Sequence, residues 1–352
     1  MKCILFTSVL SGGGAERVLC ELANSLSYKH SCILVAAYKT ENEYMLLPSV
    51  RKEYIDGSAS TKNPLKQLVR LRNILKKEKP DICVSFLPQP NFKLLISSIG
   101  LPVKKLISVR NDPRKEYSGR MDQLLLRLLY PMAHGIVFQT EDAQAWFSPE
   151  LQKKSRIIMN QVSARFFNTQ RKEEKYYVAT GRLNRQKNYG LMIRSFASFA
   201  AEYPSAVLKI YGEGELRQEL EELICELEME GNIRLMGAST DVPELLSNAK
   251  AFLLSSDFEG MPNGLLEAMA MGLPCVSTDC PCGGPRTVIE DYTNGILVPV
   301  GDESAFAEAL YELEASLSLR EKLGKAARIK ALEFHPEHVV QQWENYMKEL
   351  CT

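Results

Sequence analysis

The sequence has no long apolar run and only four histidines among its 352 residues. None of its stretches approaches the roughly 20 apolar residues that a membrane-spanning helix needs. The first residues, MKCILFTSVLSGGG, break into glycines after a short apolar run and do not predict a signal peptide. These absences predict a cytoplasmic protein without a membrane span.

The nine cysteines show no spacing typical of a disulfide framework. Four lie inside apolar runs: Cys3, Cys32, Cys83 and Cys275. Without a secretion signal, such cysteines are expected to be reduced core residues. Cys280 and Cys282 have the wrong spacing for a zinc knuckle, and no histidine lies near them. We therefore expect no metal site.

Charge is unevenly distributed, although the whole chain is formally neutral. Residues 1–170 contain 25 Lys and Arg but 14 Asp and Glu, a net charge of +11, whereas residues 171–352 carry a net charge of −11. This split predicts a basic lobe that faces an anionic partner and an acidic lobe. Drift of surface composition is the alternative explanation.

Short apolar runs alternate with amphipathic ones along the chain. The predicted strands are 3–7, 31–36, 82–86, 105–109, 135–139, 176–180, 206–211, 233–236, 251–255, 274–277 and 295–298. The predicted helices include 15–29, 64–79, 189–203, 215–230 and 263–271. This alternation predicts two doubly wound α/β domains joined by the polar segment 160–175. Ligands bind such sheets at the carboxyl ends of the strands, and a cleft between two domains is the default site.

A glycine-rich loop, TSVLSGGGAERV, joins the first strand to the first helix. Its Gly13 and Gly14 permit close approach of the backbone, and the helix that follows offers its N-terminal amides to an anion. Both glycines are therefore candidate binding residues. The G-x-G-x-x-G spacing of a dinucleotide site is missing, so we do not expect nicotinamide binding.

Two cations follow the strand that ends at residue 180. After a turn at Gly181 come Arg182 and Lys187, just before a predicted helix. Arginine grips a phosphate in a bidentate way and lysine adds a mobile charge, so the loop is a candidate diphosphate clamp. Two solvated loop cations are the alternative. The next strand ends at Gly212, where an open turn leaves room for a bulky ligand group.

The segment FEGMPNGLLEAMAMGLPCVS contains two glutamates, Glu259 and Glu267, around a turn. The turn residues Gly260, Met261, Pro262 and Asn263 lead into a predicted helix whose amides point at a ligand. Acids near a helix N-terminus are stabilised by the helix dipole, which is one explanation of the pair. The other is that both carboxylates accept hydrogen bonds from hydroxyls of one elongated polar ligand, such as a sugar or a ribose.

Together, GRLNRQKN at 181–188, the Glu-x7-Glu pair and the glycine-rich first loop resemble the retaining glycosyltransferases of family 4. The segment GMPNGLLEAMAMGLPCVSTDCPCGGPR is similar to members that elongate lipid-linked oligosaccharides, such as N-acetylgalactosaminyltransferases acting on undecaprenyl diphosphate glycans. The resemblance covers the whole chain. It implies the α/β GT-B fold, in which two doubly wound Rossmann-like domains face each other across a cleft.

The resemblance also implies how the chain is divided. Residues 1–165 would form the N-terminal, acceptor- and membrane-facing domain, and residues 176–333 the nucleotide-sugar-binding domain. Residues 334–352 would form a helix that crosses back to the first domain. Val339, Trp343 and Met347 recur every four residues in that segment, which predicts an amphipathic helix. Packing within the second domain is the alternative for this helix.

The family's functional residues can be placed on this sequence. Arg182 and Lys187 match the cations that hold the donor diphosphate, Glu267 matches the carboxylate that takes the ribose hydroxyls, and Glu259 matches the one beside the donor sugar. The amides of residues 260–263 match those that contact the sugar and the phosphate. Gly13 and Gly14 match first-loop glycines near the phosphates or the acceptor.

One loop departs from the family pattern. Many relatives carry a histidine that faces the donor sugar, and the corresponding segment here, ISVRNDPR, has Arg110, Asn111 and Asp112 instead. The role of this loop is therefore open, with Arg110 or Asn111 as the substitute.

The implied activity is transfer of a hexose or N-acetylhexosamine, with retention, from a UDP-sugar to a lipid-linked or polysaccharide acceptor in cell-surface glycan biosynthesis. The acceptor would be an undecaprenyl-diphosphate-linked saccharide or a polysaccharide. Asp-x-Asp does not occur in the sequence, so we expect no obligatory metal, no cofactor and no nucleic acid partner. The alternative is a nucleotide-sugar 2-epimerase of the same fold, which would require acids and histidines in the cleft.

A basic and apolar segment, KNPLKQLVRLRNILKKEKP at 62–80, predicts where the protein works. Its leucines recur at helical spacing between lysines and arginines, and such a helix can lie on an anionic membrane. We therefore expect reversible peripheral binding to the inner face of the cytoplasmic membrane through the first domain. The leucines could instead face the domain's own sheet.

Overall fold

A computed structural model describes residues 1–56, 63–172, 174–239 and 241–352, which fold as two compact units. The first unit contains Met1–Gln161 and Pro336–Thr352, and the second contains Val162–His335. Lys62, where the predicted membrane-binding segment begins, and Glu173, inside the predicted linker, lie outside the described residues.

The first unit is built on a parallel sheet of seven strands in the order β3-β2-β1-β4-β5-β6-β7. The strands are β1 (Lys2–Thr7), β2 (Ser31–Tyr38), β3 (Val50–Asp56), β4 (Ile82–Phe86), β5 (Lys104–Ser108), β6 (Gly135–Phe138) and β7 (Ser155–Ile157). The central strands are almost wholly apolar because helices cover both faces of the sheet.

In the described residues of this unit, seven helices connect these strands. They are α1 (Gly14–Leu26), α2 (Pro64–Glu78), α3 (Pro88–Ser97), α4 (Pro113–Glu116), α5 (Arg120–Leu129), α6 (Glu141–Ala145) and α7 (Pro149–Lys153). A 3-10 turn, Tyr130–Met132, follows α5. Strands β3 and β7 and helices α3 to α7 are not among the elements predicted by range from the sequence.

The second unit repeats the plan with six parallel strands in the order β10-β9-β8-β11-β12-β13. Its strands are β8 (Tyr176–Thr180), β9 (Leu208–Tyr211), β10 (Ile233–Gly237), β11 (Ala249–Leu254), β12 (Cys275–Thr278) and β13 (Ile296–Val298). Its helices are α8 (Ala164–Asn168), α9 (Tyr189–Glu202), α10 (Arg217–Glu226), α11 (Val242–Ser247), α12 (Asn263–Ala270), α13 (Gly284–Val288), α14 (Glu303–Ala315) and α15 (Leu317–Ala331), with 3-10 turns at Arg185–Lys187 and Leu332–Phe334. Two doubly wound sheets confirm the predicted fold class.

The last helix, α16 (Pro336–Cys351), packs in the first unit. Val339, Trp343 and Met347 are buried there, and the Trp343 ring lies 5.6 Å from that of Phe86 at the end of β4. Glu344 is buried in the same interface, 3.4 Å from the Lys29 ammonium. The helix therefore contributes both apolar contacts and a buried charge to the core of the first unit.

Candidate active site

The topology of the second unit brings two loops together at one edge of its sheet. Strands β8 and β11 are neighbours, but the chain leaves them towards opposite sides, as the strand order shows. This is the switch point at which doubly wound sheets bind ligands. The loop after β8 begins at Gly181 and the loop after β11 begins at Ser255. All the site residues predicted in the second unit except Gly212 lie on these two loops or on the helix α12 that follows the second one.

The loop after β8 is held by its own backbone and by the neighbouring loop. Gly181 donates its amide to the Tyr211 carbonyl at 3.0 Å, and Leu183 donates to the Glu213 carbonyl at 3.0 Å. The Asn184 side chain then caps the turn that carries Lys187 by accepting its amide at 3.2 Å. These bonds fix the backbone of Lys187, while Arg182 lies exposed on the same loop.

Gly212 is required by close packing of two backbones. A Cβ atom at this position would lie 1.8 Å from the Gly181 carbonyl oxygen, which is a severe clash. Gly212 and Gly181 therefore bring the ends of β9 and β8 into direct backbone contact. Gly212 thus has a structural reason to be glycine, apart from any contact with a ligand.

The loop after β11 buries the first of the two glutamates. Glu259 is only 6% exposed. Its amide donates to the Pro281 carbonyl at 2.6 Å, and its carbonyl accepts from the Cys282 amide at 3.2 Å, which ties it to the loop after β12. Burial, reinforced by the Glu259 carboxylate, raises the pKa of the nearby Cys280 thiol to about 12.

Lys187 and Glu259 meet in this unit. The Lys187 Nζ atom lies 2.5 Å from Oε1 of Glu259, and the two side chains are 17% and 8% exposed. The same oxygen accepts a hydrogen bond from the Ser256 hydroxyl at 2.8 Å. A predicted cation of the diphosphate clamp and a predicted sugar carboxylate thus form one charge-assisted cluster at the switch point.

The turn between the two glutamates lies against the strand ends. Gly260, Met261 and Pro262 are buried, and α12 begins at Asn263, which is half-buried. A Cβ atom on Gly264 would lie 2.6 Å from the Thr180 hydroxyl at the end of β8, so the start of α12 reaches that strand.

Glu267 lies one turn into α12 and is buried. The pattern of a turn followed by a helix therefore places both glutamates at this edge of the sheet.

In the first unit, the glycine-rich loop occupies the equivalent switch point, between β1 and β4. Gly13 is the N-cap of α1, and Gly14 is its first residue. The Gly13 carbonyl accepts a hydrogen bond from the Tyr44 hydroxyl at 3.0 Å. Gly12 has φ of +79°, which suits glycine.

In the loop after β5, the side chains of Arg110 and Asp112 bond within the first unit. Arg110 is buried, stacks over the Phe86 ring with its Cζ 4.1 Å from the ring centroid, and donates to Asn160. Burial lowers the pKa of Arg110 to about 9. Asp112 caps α4 by accepting the Arg114 amide at 3.0 Å. Asn111 is half-buried.

Sequence reasoning missed the serines that precede Glu259. Ser255 and Ser256 are buried at the end of β11, and each bonds to one member of the ion pair. Their position in the sequence could have identified them, because polar residues that directly follow a buried parallel strand lie at the ligand-binding edge.

Elsewhere, no helix in the part of the chain that the structure describes is both long and apolar enough to cross a membrane. Within the same residues, no three His, Cys, Asp or Glu side chains group in a way that could hold a metal ion.

Two doubly wound units with parallel sheets of seven and six strands have the architecture of the GT-B fold. Residues 161–330 match the family model described as glycosyl transferases group 1. These residues therefore form a glycosyl transferases group 1 domain, and together with the glycosyltransferase relatives described next they confirm glycosyl transfer, the class of activity predicted from the motifs. The match does not favour the 2-epimerase alternative.

Relatives of known role extend the match over the whole chain. The chain is 25% identical, over 99% of both chains, to a Campylobacter jejuni α-1,4-N-acetyl-D-galactosaminyltransferase whose acceptor is GalNAc-α-(1→4)-GalNAc-α-(1→3)-diNAcBac-PP-undecaprenol. It is 26% identical, over 98% of this chain and 99% of the relative, to a second enzyme of that organism, an N-acetylgalactosamine-N,N'-diacetylbacillosaminyl-diphospho-undecaprenol 4-α-N-acetylgalactosaminyltransferase.

A solved structure shares the fold. Anabaena HepE in complex with UDP and glucose superposes with a TM-score of 0.85 at 16% identity, and the superposition covers 99% of this chain and 100% of that one. At this identity the likeness shows the fold alone.

Proposed function

We propose that this glycosyltransferase moves an N-acetylhexosamine or hexose from a UDP-sugar to an undecaprenyl-diphosphate-linked saccharide, with retention and without an obligatory metal. The observation that carries the proposal is the Lys187–Glu259–Ser256 cluster at the switch point of the group 1 domain. It provides a cation for a diphosphate and a buried carboxylate for a sugar hydroxyl in one place. The two Campylobacter jejuni relatives, which cover the whole chain, support the acceptor class.

Each predicted residue has a proposed role. Arg182 and Lys187 hold the donor diphosphate, and they stabilise the charge that develops on it as it leaves. Glu259 accepts hydrogen bonds from the donor sugar, and Glu267 accepts them from the ribose. The backbone at 181, 212 and 260–263 lines the donor site, and the amides of Gly13 and Gly14 serve the phosphates or the acceptor.

The chemistry follows from these roles. The bond from the anomeric carbon to the diphosphate oxygen breaks, and the acceptor hydroxyl attacks the same face of the sugar. The departing diphosphate oxygen helps to remove the proton of that hydroxyl, so no protein nucleophile is needed. The cations lower the barrier by stabilising the diphosphate, and each such group typically contributes about 3 kcal/mol.

A panel of donors tests the reaction. The protein is incubated with UDP-N-acetylgalactosamine, UDP-N-acetylglucosamine, UDP-glucose and GDP-mannose, with and without a bacterial lipid fraction, and nucleoside diphosphate release is measured. We expect a UDP-sugar to be used fastest, and the lipid fraction to accelerate release. A preference for the GDP-sugar would overturn the proposed base. Isomerisation of the sugar without release would favour the epimerase.

We also propose that the first unit binds the inner face of the cytoplasmic membrane, but the structure changes which residues would do so. Leu71 and Leu75 of α2 are buried, which agrees with the alternative that the leucines of this helix face the domain's own sheet. Leu65 and Val69 are exposed. The larger exposed apolar face belongs to α5, a helix that was not among those predicted by range.

On α5, Met121, Leu124 and Leu128 are exposed at helical spacing, and Arg120 and Arg127 are exposed beside them. Helix α3 contacts both α2 and α5. Exposed apolar residues flanked by cations fit an anionic lipid surface, where each cation contributes about 1 kcal/mol.

Flotation with vesicles tests this surface. The wild-type protein should float with phosphatidylglycerol vesicles at low salt, and much less with phosphatidylcholine vesicles or at high salt. Leu128→Asp should weaken flotation. Ile329→Asp in the second unit is the matched control, because both side chains are 62% exposed, and it should float like wild type. If the wild-type protein floats with neither lipid, membrane binding is excluded and a water-soluble acceptor is favoured.

A further inference from the structure

Two consecutive serines each form a hydrogen bond to one member of the ion pair in the site. Ser255 and Ser256 follow the last residue of β11, and both are buried. The Ser255 hydroxyl donates to the Lys187 carbonyl at 2.8 Å, whereas the Ser256 hydroxyl donates to Oε1 of Glu259 at 2.8 Å. One serine therefore fixes the backbone of the cation, and the other fixes the carboxylate itself.

Ser256 is itself rigidly held. Its side chain is fully buried, so water does not compete for its hydroxyl. Its carbonyl accepts the hydroxyl of Thr278, the last residue of β12, at 2.6 Å. The adjacent Asp257 amide donates to the Gln186 carbonyl at 2.9 Å, which ties this loop to the turn that carries Lys187. The Ser256 hydroxyl is therefore fixed in position and can hold the Glu259 carboxylate in one orientation.

The two donors to Glu259 differ in how firmly they are anchored. The Lys187 ammonium ends a flexible four-carbon chain and is attracted to any anion, a diphosphate included. The Ser256 hydroxyl has one rotatable bond and no other function in the cluster. When Lys187 turns to a diphosphate, Ser256 is the donor that stays on Oε1.

We propose that Ser256 is a positioning residue for glycosyl transfer, which holds Oε1 of Glu259 and thereby directs Oε2 to the donor sugar. The inference rests on the proposed function, in which Glu259 lies beside that sugar. Loss of the hydroxyl would leave the carboxylate free to rotate as soon as Lys187 engages the diphosphate. Misplacement of a contact group by about 1 Å can reduce turnover by roughly 100-fold.

The test compares Ser256→Ala with Ser195→Ala. Ser195, on α9 of the same unit, is also buried and donates one hydrogen bond, to the Glu303 carbonyl at 3.0 Å. Both variants lose a buried hydroxyl, so they should lose similar thermal stability. Turnover of the fastest UDP-sugar of the panel should fall about 10- to 100-fold in Ser256→Ala and stay near the wild-type value in Ser195→Ala. The dissociation constant of UDP, measured by calorimetry, should change in neither variant.

A double-variant cycle separates positioning from general structural damage. In the Glu259→Ala background, Ser256→Ala should cause no further loss of turnover, because the group it positions is gone. An equal loss in both backgrounds, or a fully active Ser256→Ala, would overturn the inference. Ser256→Cys, whose side chain is slightly larger and is only a weak donor, should show the same loss if Ser256→Ala fails to fold.

One outcome separates this inference from the proposed function. If Glu259→Ala retains wild-type turnover, the role of Glu259 is wrong, and the role of Ser256 fails with it. If Glu259→Ala is inactive but Ser256→Ala and Ser256→Cys are fully active, only the inference fails.

Discussion

Removal of the Lys187 side chain should damage both the stability of the second unit and its turnover. In Lys187→Ala the Glu259 carboxylate stays buried, and of its two donors only Ser256 remains. Removing one partner of a buried ion pair typically costs about 3 to 5 kcal/mol, because the other charge is left uncompensated. The Lys187 side chain is 17% exposed, so water can partly replace it, and we expect the lower end, about 3 kcal/mol.

Urea unfolding and thermal melts would measure this loss. For a unit of this size, about 3 kcal/mol corresponds to a decrease in Tm of roughly 6 to 12 °C. Turnover should fall by two or more orders of magnitude, since a cation on the leaving diphosphate contributes about 3 kcal/mol to the transition state. Lys187→Ala/Glu259→Gln should be more stable than Lys187→Ala alone, because the unpaired charge is then absent.

Lys250→Ala is the matched control. Lys250 forms an ion pair with Glu314 at 2.8 Å in the same unit, with exposed fractions of 19% and 20%. Its removal should lower stability by a similar amount and leave turnover unchanged. If Lys187→Ala unfolds at the wild-type urea concentration and retains wild-type turnover, both the energetic argument and the diphosphate clamp are wrong.

Three further predictions concern the ribose, the metal and pH. Glu267→Ala should weaken UDP binding, measured by calorimetry, more than it lowers turnover at saturating donor; an unchanged UDP affinity would exclude Glu267 as the ribose ligand. Turnover should persist in EDTA, and a complete loss restored by a divalent ion would refute the metal-free mechanism. Burial raises the pKa of Glu116 in the first unit to about 8, with Arg110 opposing the shift. Its contribution to stability is therefore fully present below pH 4.5 and is lost as pH rises through about 8. In urea titrations, the free energy of unfolding of Glu116→Gln minus that of the wild-type protein should be larger at pH 9 than at pH 5. An equal difference at both pH values would contradict this.

The switch-point residues were predictable because two sequence signals coincide there. A buried parallel strand followed by glycine and cations places those cations at the ligand-binding edge, which is where Gly181 and Lys187 lie. The same rule applies to Glu259 after β11. The sequence could not predict that Lys187 and Glu259 would bond directly, because 72 residues separate them and only the strand order brings them together.

Three features were not predicted because their sequences lack the usual pattern of a buried element. Strand β3, VRKEYID, is an edge strand whose run of charged residues hides its apolar positions. Helix α5 buries only Leu129, so its leucines do not mark a core face. Glu344 lies on the buried side of α16, where an apolar stripe predicts no charge.

The most direct test of the account is the stereochemistry of transfer to a lipid acceptor. The protein would be incubated with the UDP-α-sugar that it uses fastest and an undecaprenyl-diphosphate-linked saccharide, and the new glycosidic linkage would be determined by NMR before any further processing. We predict an α-linked product on the lipid-linked saccharide, formed in the presence of EDTA by the wild-type protein and not by Glu259→Ala. A β-linked product would contradict retention, and sugar released only to water would contradict the lipid-linked acceptor.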